Sequence, residues 1–107
     1  MITFEEFKKV ELKVGKIIEA EKIEGSDKLI KLQVDLGAEK RQIVAGIAKS
    51  YEIEKLIGRE IAVVINLEPR ILKGVESQGM LLAADGGESG PVLLSIEKEV
   101  PPGSEIR

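Results

Sequence analysis

At 107 residues, with 43% hydrophobic and 33% charged side chains of both signs, the chain has the composition of one soluble folded domain and is too short for two. It contains neither cysteine nor histidine, which excludes disulfides, thiolate metal sites and the usual general base, so no catalytic residue, metal or cofactor is expected. A net charge of −3 disfavours nucleic acid over the surface as a whole, and any such site has to be local.

Thr3-Phe4-Glu5-Glu6 matches a capping box and predicts a short helix to about Lys9, with Phe4 and Phe7 three apart on one face, able to dock on the body of the domain or on another subunit. From Glu11 the pattern changes to alternation, which predicts a first strand; Gly15 inside it marks a bulge or bend of the kind that curls a sheet. The turn Glu24-Gly25-Ser26-Asp27 ends this strand. Ile30, Leu32, Val34 and Leu36 alternate with Lys31, Gln33 and Asp35, the clearest half-buried strand in the sequence. After a turn at 37–40, Gln42 to Ala45 forms a third strand, and Gly46 breaks it. Ser50 to Gly58 reads as a short helix stopped by glycine. Ile61 to Asn66 is a nearly all-apolar fourth strand, buried on both sides.

A loop with proline and glycine follows from Glu68 to Gly79, then a fifth strand from Met80 to about Ala84. After the turn Asp85 to Pro91 a short strand is expected at Val92 to Ser95, and Pro101-Pro102-Gly103-Ser104 reads as extended. The longest apolar runs fall far short of the roughly 20 residues a membrane-spanning helix needs, and the N-terminus lacks a signal-peptide layout. A cytoplasmic location is expected. The order of elements is that of an all-β protein: an OB-fold, a five-stranded Greek-key barrel with a short N-terminal helix, a short helix between strands three and four, and a C-terminal extension. Residues 1–107 are expected to form a single domain, with the core barrel at about 11–85 and the extension at 86–107.

OB-folds bind oligonucleotides or oligosaccharides across strands two and three and with the loops joining strands one to two and four to five. The four-to-five loop carries Arg70 and Lys73 with no acidic residue between them, then Ser77 and Gln78, which can donate to phosphate or ribose oxygens. Strand two adds Lys28 and Lys31, and Lys49 follows strand three. With Phe4, Phe7 and Tyr51 as its only aromatics, the chain is poorly equipped to stack unpaired bases, which leaves recognition of the shape, phosphates and 2′-hydroxyls of a folded RNA.

The run Asn66-Leu67-Glu68-Pro69-Arg70-Ile71-Leu72-Lys73-Gly74-Val75-Glu76-Ser77-Gln78-Gly79-Met80 resembles the signature of the tRNA-binding domain family. Leu12-Lys13-Val14-Gly15-Lys16-Ile17, Ser26-Asp27-Lys28-Leu29, Val44-Ala45-Gly46-Ile47 and Pro101-Pro102-Gly103-Ser104 match in the same order, so the resemblance covers nearly the whole chain. Members include the C-terminal domain of methionyl-tRNA synthetase, free-standing dimeric tRNA-binding proteins, synthetase-associated cytokine precursors and a dimeric peptide-binding export chaperone. The resemblance implies a non-catalytic, sequence-tolerant grip on tRNA, a homodimer formed through the segments flanking the barrel, and the catalytic chain of methionyl-tRNA synthetase as partner. Carried over by position, the RNA-binding candidates are Asn66, Arg70, Lys73, Ser77, Gln78 and Met80, with Lys31 and Lys49 as additions. Glu68, Ile71, Glu24 and Gly25 depart from the family pattern and thin the positive patch.

Overall fold

The computed structural model describes residues 1–107. Helix α1 (Phe4–Lys8) opens with the expected capping box: the Thr3 hydroxyl accepts from the Glu6 amide at 3.1 Å and Glu6 Oε1 accepts from the Thr3 amide at 3.0 Å. The long strand β1 (Leu12–Lys22) is the axis of the barrel. Its first half pairs with β4 (Glu60–Val64) and its second half with β2 (Ile30–Asp35), which in turn pairs with β3 (Lys40–Ala45); every pairing is antiparallel. One continuous strand thus serves two neighbours and bends the sheet on itself.

Gly15 lies in the first half of β1, opposite Ile61 of β4. A Cβ there would sit 2.4 Å from Val34 Cγ1 and 3.2 Å from both Leu36 and Val63, so only hydrogen fits. The register shift itself falls later, between Ile17 and Glu19; Gly15 supplies room, and the bulge predicted at it is displaced along the strand. Inside, Ile17, Ile30, Leu32, Val34, Ile43, Leu56, Ile61 and Val63 are fully buried. Leu56 comes from α2 (Ile53–Leu56), shorter than the predicted helix and plugging the barrel.

Two predicted features take a different form. The expected loop at Glu68–Gly79 contains a hairpin, β5 (Arg70–Leu72) and β6 (Val75–Ser77). The expected fifth strand is split: β7 (Met80–Leu81) pairs with β4, whereas β8 (Ala83–Asp85) pairs with β9 (Pro91–Leu93). The split occurs at Leu82, whose amide donates to the Ala62 carbonyl while its own carbonyl accepts from Leu94, so the chain changes partners there. The result is an OB-like, nearly closed five-stranded antiparallel barrel in the order β3-β2-β1-β4-β7.

The C-terminal residues pack onto this barrel. Leu93 joins the core, and the last strand, β10 (Glu105–Ile106), pairs with Leu12 and Lys13 of β1. Pro101–Ser104, predicted to be extended, instead turns, with the Ser104 amide donating to the Pro101 carbonyl. The turn lets Gly103 N and Ser104 O bond Val14 as a strand would.

Candidate functional site

The β5–β6 hairpin is made by its two central residues. Lys73 has φ 51° and Gly74 φ 78°, the left-handed pair that a two-residue type I′ turn requires. Leu72 pairs directly with Val75 across the turn. Both lean on a small cluster of Ile23, Leu29 and Val44, distinct from the main core. Ile23 and Leu29 bracket the turn between β1 and β2, so this cluster joins the one-to-two loop to the four-to-five hairpin. The two loops that OB-folds use for binding are thereby one packed unit.

On the barrel side the hairpin lies along β3 with little backbone pairing. Gln78 N donates to Gln42 O at 2.7 Å, and side chains make the remaining bonds. The buried Ser77 hydroxyl accepts from the Val44 amide at 2.9 Å and donates to the Gly79 carbonyl at 3.0 Å. Gln78 Oε1 accepts from the Gln42 amide at 3.1 Å, and its Nε2 donates to Glu76 Oε1 at 3.1 Å. Gln42 Nε2 donates to the Glu76 carbonyl at 2.8 Å, and its Oε1 accepts from Gln33 Nε2 at 3.0 Å. Arg41 donates to the carbonyls of Ile65 and Gln78. Asn66 is engaged elsewhere: Oδ1 accepts from the Glu11 amide at 2.9 Å and Nδ2 donates to the Lys9 carbonyl at 2.6 Å, clasping the exit of α1.

The predicted contact residues therefore fall into three groups. Asn66, Ser77 and Gln78 have their hydrogen-bonding atoms occupied within the chain. Arg70 and Lys73 are exposed and belong to none of the ion pairs, and Met80 is 44% exposed beside them in sequence on β7. Lys31 lies opposite Glu21 across β1–β2, with Nζ 2.5 Å from the carboxylate. Lys49 pairs with Asp27 at 3.4 Å, both ends exposed. Lys28, in the one-to-two loop, is exposed and outside every ion pair. Tyr51 is no free stacking platform, because its hydroxyl accepts from the Leu93 amide at 3.0 Å and Arg59 covers its ring. Sequence reasoning missed Gln33, Arg41 and Gln42. The signal for them was faint: polar residues on adjacent strands, with nothing to show that a hairpin comes to lie on them.

At the other end of β1, a groove of about 570 Å³ is lined by Phe4, Phe7, Val10, Leu12 and Ile106, among others. No residue of α1 is buried, and Phe4 remains 70% exposed. The aromatic face of the helix is thus left open by the rest of the chain. No group of acidic residues is arranged to hold a metal, and no helix is long and apolar enough to cross a membrane.

Residues 12–105 match the family described as "Putative tRNA binding domain". The chain is similar to the methionine–tRNA ligases of Methanothrix thermoacetophila, 59% identical over 108 residues, and Caldanaerobacter subterraneus, 56% over 105. These alignments cover 100% and 98% of the chain but only 16% of each ligase. Among solved structures, the chain is similar to a MetRS related protein from Pyrococcus horikoshii, with TM-score 0.93 and 43% identity over 100% of this chain and 98% of that one. It is also similar to the chaperone CsaA from Bacillus anthracis, with TM-score 0.91 and 32% identity over 100% of this chain and 99% of that one.

Proposed function

The chain belongs to the tRNA-binding domain family, and from that premise we propose that it is a non-catalytic, sequence-tolerant tRNA grip that holds tRNA for the catalytic domain or chain of a methionyl-tRNA synthetase. The observation that carries this reading is the hairpin, where Lys73 at the turn and Arg70 at the start of β5 stand exposed and outside every ion pair on an arm packed against the one-to-two loop. Cations on a fixed backbone position phosphates without reading bases. Lys28 lies on the joined loop and Lys49 next to it, where the Asp27 pair is exposed enough to exchange for phosphate. Met80 supplies an apolar contact. Ser77 and Gln78 serve the same site by holding its frame, Asn66 clasps the exit of α1, and Lys31, held by Glu21, contributes least.

The open face of α1 and the groove beside β10 support a homodimer through the segments that flank the barrel. We place the protein in the cytoplasm with the synthetases it resembles, as a single domain over residues 1–107. The test is titration with mixed tRNA at several salt concentrations. Affinity should fall with salt at a log-log slope of roughly −0.7 to −0.9 per phosphate neutralised. Absence of binding at low salt would sink the proposal. A second reading, a dimeric peptide-binding chaperone, draws on the CsaA likeness and the open groove beside α1; it predicts salt-insensitive binding of unfolded peptide instead.

A further inference from the structure

Among the bonds that join the Arg70–Lys73 hairpin to the barrel is a relay of amides. Gln33 Nε2 donates to Gln42 Oε1, and Gln42 Nε2 donates to the Glu76 carbonyl on β6. Both ends of the Gln42 amide are therefore occupied, one towards the sheet and one towards the hairpin. A planar amide bonded at both ends fixes the distance and angle between the elements it joins. The surrounding bonds from Ser77 and Gln78 act on the base of β6 and the residue after it. Gln78 reaches only the Glu76 carboxylate, whereas Gln42 holds the backbone carbonyl of Glu76, the residue paired with Ile71 in the hairpin ladder.

We propose that Gln42 is a positioning residue for RNA binding: it touches no RNA, and it aims the Arg70–Lys73 arm by tethering Glu76 to β2 through Gln33. The inference rests on the RNA-binding reading above. A loose hairpin still carries its charges, but it has to be ordered when RNA binds, and that ordering opposes association. Gln42 is half-buried on β3 and its backbone bonds with Gln78 do not depend on its side chain, so the barrel survives its replacement.

The test is a double-mutant cycle. Gln42→Met keeps the length of the side chain and removes both amide bonds. It should weaken mixed tRNA at fixed salt by about five-fold, the equivalent of one hydrogen bond, and speed amide exchange at Leu72 and Val75 while the rest of the barrel stays protected. Placed on Arg70→Ala/Lys73→Ala, the same change should have no further effect, because there is no charged arm left to aim. Equal weakening in both backgrounds means that Gln42 contacts RNA itself and overturns the proposal. Unchanged affinity with unchanged exchange at the hairpin overturns it too. Gln33→Leu, which cuts only the far link, should weaken binding about two-fold and provides the check if Gln42→Met fails to fold. If Arg70→Ala/Lys73→Ala leaves tRNA affinity unchanged, the RNA-binding reading itself has failed, which distinguishes that outcome from failure of the positioning role.

Discussion

The barrel is closed in two unlike ways. Along β1, with β2 on one edge and β4 on the other, strands meet through antiparallel backbone ladders, shifted in register once at Ile17–Glu19, over a core of fully buried Ile, Leu and Val. Along β3, where the hairpin arrives, one backbone bond is supplemented by Ser77, Gln78, Gln42 and Arg41 side chains. A ladder uses groups that nearly every residue carries, so any sequence of suitable hydrophobic pattern can form it. A seam of side-chain bonds demands particular residues at particular positions. That is why the recognisable signature, Asn66 to Met80, runs through the seam, and why residues that read as a ligand site also bond within the chain.

Breaking the body should be the costliest change. Leu32→Ala opens a cavity in the centre of the core, where the side chain is fully buried, and should cost about 2–5 kcal/mol in urea unfolding. Ser77→Ala tests the seam: it leaves the Val44 amide without its partner in a buried setting, at about 1–3 kcal/mol. If that variant loses tRNA affinity at full stability, Ser77 is an RNA contact after all. Arg70→Ala/Lys73→Ala should leave stability within about 0.5 kcal/mol. It should lower the magnitude of the salt slope by about 2 and weaken all tRNAs alike. The smallest change in stability sharpens the contrast most. Lys73→Asn relieves a lysine held at φ 51° beside Gly74 and should stabilise the hairpin by roughly 0.5 kcal/mol, while removing a cation weakens tRNA binding. Opposite signs in thermal melting and titration would show that Lys73 is kept at some structural cost for its charge.

Much of the barrel was legible because periodicity reports burial directly. Ile30, Leu32 and Val34 alternate in the sequence and alternate again as buried residues of β2. The capping box at Thr3 was equally plain, since both of its bonds lie within three residues. Less legible were the hairpin and the split fifth strand. Lys73-Gly74 is not among the commonest I′ turn pairs, and Leu82 continues an apolar run although its backbone switches from one neighbour to another.

Hydrophobic alternation, the glycine at position 15 and the signature at 66–80 determined by themselves the class of fold, the family and the cations Arg70 and Lys73 of the four-to-five loop, because each is a property of local residues. Only the tertiary structure decided which polar residues remain free to bind. Ser77 meets Val44 across 33 positions of chain and Gln78 meets Gln42 across 36. A hydroxyl or an amide offers the same donors and acceptors to a distant backbone group as to a ribose or a phosphate, so residue type alone cannot separate the two, and the folded chain does so by bringing its own backbone there first.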